Sequence, residues 1–88
     1  MQINKEVIHR EIAGEHILVP IGETALHHSG VFTITEVGAD IWEMLCEGKD
    51  IPEITAALLE MYDVEQDVLV KDIGEFLNLL KENDLIGE

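Results

Sequence analysis

Apolar and polar positions alternate in three stretches of the first half of the chain. Residues 6–12 and 15–21 are rich in branched side chains, and Ala13-Gly14 between them is typical of a tight reversal. In residues 31–34 the side chains at 32 and 34 share one face of an extended strand. These patterns predict an antiparallel hairpin and a third short strand, with residues 22–30 as the connecting loop.

Helical spacing takes over in the second half, where three helices are predicted at residues 36–45, 51–61 and about 63–83. Thr35 can cap the first of them, and Asp50 with Glu53 forms a potential capping box at the second. Beyond the third helix, Leu85-Ile86 is a short apolar tail that we expect to pack back onto the core.

The order of these elements predicts an α+β fold in one domain spanning residues 1–88. Three short antiparallel strands precede three helices with tight connections, so the predicted architecture is winged-helix-like, with the strands first. The chain is long enough for one modest core.

The acidic charge of the chain argues against nucleic-acid binding, a function that a helix-turn-helix arrangement would otherwise suggest. The formal net charge is −14, from 5 basic and 19 acidic residues. Proteins bind a nucleic-acid backbone through Lys and Arg. Binding of this acidic chain to nucleic acid is therefore disfavoured, and binding to anionic membranes is disfavoured for the same reason. The acidity favours partners with basic patches, although it also fits plain solubility.

Cellular location follows from what the sequence lacks. One cysteine, Cys46, cannot form an internal disulfide, which fits a reducing compartment. The first residues contain no apolar run typical of a secretory signal, and no segment is long and apolar enough to span a bilayer. We therefore expect a cytoplasmic protein.

Candidate catalytic and metal-binding residues do not form a recognisable pattern. The four histidines lack the spacing of a zinc site, and polar strand or loop positions are the simpler interpretation. Acidic neighbours of Cys46, including Glu43, Glu47 and Asp50, should raise the pKa of its thiol and disfavour it as a nucleophile. We expect no metal, no cofactor and no enzymatic activity.

Binding remains as the function. The strand at 31–34 runs directly into a helix, and an edge strand can accept one more strand from a peptide. The residues alone leave open whether this edge is free or covered. They also leave open a winged-helix regulatory or protein-interaction module.

Several segments in order resemble the PqqD-like family of peptide chaperones, also called recognition elements for ribosomally synthesised, post-translationally modified peptides. The segments are REIAGEHILVP, GVFTITEVGADIWEML and KDIGEFLNLLKENDLI. The resemblance covers almost the whole chain. Many relatives carry Asn where this chain has Thr35, and both residues can cap a helix.

The resemblance implies a non-catalytic peptide-binding chaperone. Such a domain captures the leader segment of a precursor peptide by strand addition and presents it to a modifying enzyme, often a radical SAM protein. The peptide-binding residues it implies are Val31, Phe32, Thr33, Ile34, Leu69, Asp72, Ile73 and Phe76.

The nature of the peptide is not fixed by the sequence. Asp72 and Glu75 could contact a basic residue of the leader, whereas Lys71 could contact an acidic one. The side chains of Phe32 and Ile34 point to the same face of the strand, which favours positions in the core over direct contact with the peptide. A homodimer through the sheet edge or the third helix is also possible.

Overall fold

A computed structural model describes residues 2–27 and 30–87. It confirms an α+β fold with antiparallel strands before the main helices. The strands are β1 (Gln2–Ile3), β2 (Val7–Ile12), β3 (Glu15–Pro20), β4 (Phe32–Ile34) and β5 (Ile86–Gly87). The helices are α1 (Gly22–His27), α2 (Glu36–Cys46), α3 (Ile51–Met61) and α4 (Gln66–Glu82).

The predicted hairpin and third strand form one antiparallel sheet in the order β2-β3-β4. Residues Ile12 and Glu15 are paired, so Ala13 and Gly14 alone make the turn, with φ of 52° and 83°. Two positive φ angles match the twist that a two-residue hairpin needs. β4 begins at Phe32, one residue later than predicted.

The segment after β3 differs from the prediction, because residues 22–27 form α1 and not a loop. A distant side chain stabilises its start: the Glu6 carboxylate accepts a hydrogen bond from the backbone N–H of Glu23 at 3.0 Å. An ideal Cβ at Gly22, where φ is 60°, would lie 2.0 Å from that carboxylate. Residues 28 and 29 of the predicted loop lie outside the described residues.

Local capping signals place two of the three longer helices, α2 and α3. The Thr35 side chain accepts from the Gly38 N–H at 3.0 Å, and Asp50 and Glu53 form the predicted capping box. α4 starts at Gln66 after Glu65, whose side chain makes no capping hydrogen bond. The predicted helix bounds therefore hold to within about three residues.

The C-terminal tail packs back as predicted and also forms a strand. β5 pairs antiparallel with β1, with Ile3 opposite Ile86, and Leu85 and Ile86 are buried. The Asn4 N–H adds a 3.0 Å hydrogen bond to the Leu85 carbonyl. The two ends of the described chain are therefore held together beside α4.

One buried cluster joins the three-stranded sheet to the helices. Leu18 comes from the sheet, Trp42 from α2, Ile54 from α3 and Ile73 from α4, and each is at most 2% exposed. No polar or charged side chain is buried among the described residues. The apolar periodicity seen in the sequence is thus used for one continuous core.

A polar contact links α2 to the end of α3. The Tyr62 hydroxyl donates a hydrogen bond to the Asp40 carboxylate. This bond, with lesser contributions from desolvation and the charges of Asp40 and Glu36, raises the pKa of Tyr62 to about 12.

Within the described ranges, no helix has the length and apolar character needed to cross a membrane.

Replacing Thr35 by Ala should destabilise the fold by about 1 kcal/mol, because the first turn of α2 loses its side-chain cap. Thr35→Asn should keep most of the stability, since Asn caps equally well. Urea unfolding followed by Trp42 fluorescence measures both. Equal stability of the wild type and T35A would mean that this cap is not formed in solution.

Tyr62 should titrate about two pH units above its ordinary value, because ionisation would break its hydrogen bond to Asp40. The folded state favours the protonated phenol, so this stabilisation is complete below pH 10 and is lost as the pH rises towards 12. As the single tyrosine in the chain, it can be followed by tyrosinate absorbance.

Asp40→Ala should return the Tyr62 pKa towards 10.0, while the control Glu60→Ala should leave it raised. Circular dichroism at each pH confirms that the chain is still folded. A wild-type pKa at the ordinary value would contradict the contact.

Candidate functional site

The edge strand β4 is the first part of the candidate site. Among the described residues it pairs with β3 alone, through Ile17 opposite Thr33 and its neighbours. Phe32 and Ile34 face the core, as predicted, while Thr33 is exposed. The outward side of β4 therefore faces no other strand in residues 2–27 and 30–87.

A cavity of about 490 Å³ opens where β4 ends and α2 begins, against the side of α4. Its lining is mostly apolar, with acidic groups from α4. The lining residues are Thr35, Val37, Gly38, Ile41, Asp72, Glu75, Phe76 and Leu79. We call this cavity, together with the outward side of β4, the β4–α4 groove.

The groove depends on how closely α2 approaches α4. An ideal Cβ at Gly38 would lie 3.0 Å from a ring carbon of Phe76 and 3.3 Å from the Thr35 hydroxyl oxygen. A glycine inside a helix often permits close approach of another backbone, but here the neighbour is an aromatic side chain. A glycine here lets the Phe76 ring lie directly on the first turn of α2.

The structure separates the eight predicted site residues into three groups. Asp72 and Phe76 line the cavity. Ile34, Leu69 and Ile73 are buried in the core, at 8%, 3% and 2% exposure, so the surface that they offer to a peptide is small.

The other predicted residues belong to the strand. Thr33 is exposed on the outer face of the sheet, and Val31 lies just before β4 and is 52% exposed. Phe32 is half-buried and packs against the core. For these positions the backbone is the accessible feature.

Sequence reasoning named Glu75 as a contact for a basic leader residue and Thr35 as a helix cap, but it did not place the other four lining residues at the peptide site. Leu79 follows Glu75 by one helical turn, so the face of α4 that carries Glu75 and Phe76 includes it. Val37, Gly38 and Ile41 line the cavity from α2. Val37 is half-buried, and Ile41 is a core residue that also borders the cavity.

Two uncompensated carboxylates stand beside the apolar lining. Asp72 and Glu75 are exposed, and neither has a salt bridge or hydrogen-bond partner within the described residues. Lys71, the nearest base on α4 in sequence, does not line the cavity. The groove thus combines an apolar floor with a negative wall.

Two of the histidines, His9 and His16, form a structural contact with each other and with Glu43. The His9 Nδ1–H donates to Glu43 at 2.7 Å, and His9 Nε2 lies 3.0 Å from His16 Nδ1. In the described part of the chain, no three His, Cys, Asp or Glu side chains are placed to hold a metal ion. His28, one of the four histidines, lies outside the described residues.

Cys46 has the environment of an unreactive thiol. It is exposed at the end of α2, and its pKa is raised by partial desolvation and then by the charges of Glu43 and Glu47. Two of the three acidic neighbours expected from the sequence therefore act on it. A thiol that stays protonated is a poor nucleophile.

Two other cavities lie away from β4, although the first of them borders β2, the other edge strand of the sheet. One, of about 710 Å³, lies between the start of β2 and the end of α2 and includes Cys46. The other, of about 400 Å³, lies between α3 and α4 around Leu59 and Val70. Of these three cavities, the one in the β4–α4 groove joins the end of β4 to the long helix α4.

Comparison with known proteins agrees with this geometry. A solved structure described as "TbiB1 in Complex with the TbiA(beta) Leader Peptide" matches with a TM-score of 0.79 and 29% identity, over 98% of this chain and 94% of the other. No curated protein matches the chain significantly. The model of the family "Coenzyme PQQ synthesis protein D (PqqD)" matches residues 15–86. Since this match covers most of the chain, the protein belongs to the PqqD family.

Proposed function

We propose that this chain is a peptide-binding chaperone that captures the leader segment of a precursor peptide in the β4–α4 groove. All 88 residues act as one peptide-binding domain that performs no reaction itself. The observation that carries the proposal is the edge strand β4 beside an apolar cavity. The similar structure of TbiB1, which contains a leader peptide, supports it.

Strand addition is the binding mode that this groove favours. An incoming extended peptide hydrogen-bonds to the outward backbone of β4 and continues the order β2-β3-β4 by one strand. Backbone pairing gives affinity with little sequence preference. Because β4 has three residues, the backbone contribution is short and side-chain contacts must add to it.

The apolar lining supplies those contacts. Alternate side chains of an added strand point to the same face, so every second residue of the peptide is directed towards α4. There Phe76 and Leu79 with Val37 offer apolar surface that is partly open to solvent. Burying it gains roughly 25 cal/mol per Å².

A modifying enzyme is the second partner that we propose, with a radical SAM protein as the specific expectation. The bound leader keeps the rest of its precursor outside the groove, where an enzyme can reach it. The protein itself needs no cofactor or metal for this role. Acting beside such an enzyme, it belongs in the cytoplasm, which its single cysteine fits.

Self-association is compatible with this role but not required by it. The outer face of the sheet carries exposed or half-buried apolar residues, including Ile8, Ile12 and Ile17. A net charge of −14 on each copy opposes pairing at low salt. Peptide capture by a single copy is therefore the simplest form of the proposal.

Peptides selected by this chain should bind along β4 and α4 together. The probes come from a displayed library of short random peptides, and the strongest binder is titrated into the ¹⁵N-labelled chain. Amide signals of residues 31–35 and of the α4 face around Phe76 should shift together, because the added strand contacts both. Shifts confined to other surfaces, or no enriched peptide, would refute the proposal.

A DNA duplex titrated at low salt tests the alternative winged-helix regulator. Because α3 and α4 carry Lys71 and Lys81 as their only bases, we expect no shifts. Tight, salt-sensitive DNA binding would favour the regulator.

An acidic side chain in the apolar part of the groove should abolish peptide binding without unfolding the chain. Leu79 is 42% exposed and lines the cavity, so Leu79→Asp puts a charge where the peptide must lie. We expect at least about a tenfold loss of affinity by calorimetry, from the desolvation of that charge.

Two further variants control this experiment. Val70→Asp changes a 52% exposed residue on the other side of the same helix, outside the β4–α4 groove, and should bind as the wild type does. Ile73→Asp should unfold the chain, since this residue is 2% exposed. Equal effects of L79D and V70D would mean that peptides bind elsewhere.

A further inference from the structure

The α4 side of the β4–α4 groove carries two carboxylates that form no salt bridge in the described residues, and the nearest base, Lys71, lies one helical turn before Glu75 and does not line the cavity. Asp72 and Glu75 lie three residues apart on α4, so their carboxylates are neighbours on the helix surface and repel each other. No salt bridge or hydrogen bond of the described residues compensates either one. A cation placed between them would relieve this repulsion.

Phe76 and Leu79 lie on the same face of α4 as the two carboxylates. Phe76 is half-buried and follows Asp72 by one helical turn, and Leu79 follows Glu75 by one turn. A guanidinium group can pair with a carboxylate while it stacks on an aromatic ring, whereas an ammonium group pairs as a point charge. This arrangement of groups favours arginine over lysine.

From this geometry we infer that the groove selects peptides with a basic residue, preferably arginine, that is directed at Asp72 and Glu75 and stacked on Phe76, next to an apolar residue seated on Leu79. The inference rests on the proposed peptide binding and specifies its ligand. It decides between the two charge assignments that the sequence left open, because Asp72 and Glu75 line the cavity and Lys71 does not.

The net charge of the whole molecule adds a long-range attraction to this local preference for a basic residue. A net charge of −14 attracts any cationic segment and speeds its encounter with the surface. That attraction is not specific to the groove, so the experiment must separate it from the local contact. A matched pair of carboxylates away from the groove provides the control, namely Glu60 and Asp63, which are exposed and do not line the cavity.

The test compares one selected peptide with its variants on three proteins. The peptide is the strongest groove binder from the random library, with its residue opposite Asp72 made Arg, Lys, Gln or Glu. The proteins are the wild type, Asp72→Asn/Glu75→Gln and the control Glu60→Gln/Asp63→Asn. Affinities are measured by calorimetry at low and at high salt.

We expect the wild type to bind the Arg peptide about fivefold to tenfold more tightly than the Gln peptide, with Lys in between and Glu weakest. The preference should vanish in D72N/E75Q, persist in E60Q/D63N and shrink at high salt. Equal binding of the Arg and Gln peptides to the wild type would overturn the inference. Equal loss in both double variants would overturn it too, since the attraction would then be that of the whole charge.

These outcomes leave the proposed function separately testable. If all four peptides bind with equal affinity and still shift the amides of β4 and α4, the inference fails and peptide capture stands. If none of them shifts those amides, peptide capture itself fails.

Discussion

A strand at the edge of a sheet keeps backbone donors and acceptors on its outward side, and the peptide capture that we propose for this chain depends on that property of β4. In the described residues β4 pairs with β3 alone, and the cap at Thr35 turns the chain at once into α2. Natural proteins commonly cover or charge such an edge to prevent aggregation. In this protein the edge is short and ends at a cavity, which suits a temporary partner.

The cavity exists because two helices meet at a glycine. At Gly38 the first turn of α2 lies against the Phe76 ring, and the space beside this contact is bounded by α4. Strand edge and helix face therefore act as one surface, with backbone on one side and apolar side chains on the other. Asp72 and Glu75, which form no salt bridge in the described residues, give that surface a negative charge. In the binding mode that we propose, backbone pairing and charge preference come from different parts of one groove.

Features set by nearby residues could be predicted from the sequence, and features set by distant contacts could not. The hairpin follows from Ala13-Gly14, and α3 from the capping box at Asp50, since each signal is local. α1 was missed because the Glu6 carboxylate that stabilises its start is far away in sequence. In the site, the family resemblance indicated β4 and α4, which border the β4–α4 groove. Side-chain burial then shows that Leu69 belongs chiefly to the core, and only packing against α2 identifies Leu79.

Amide hydrogen exchange along β4 tests the open edge most directly. In the free protein, the exposed Thr33 and its neighbours at residues 31–35 should include amides that exchange much faster than those of the paired strand β3. Saturation with a groove-binding peptide should slow these same amides, because a new strand accepts or shields them. If they are already as protected as β3 in the free protein, or do not slow when the peptide binds, the edge is not the binding site and capture by strand addition is wrong.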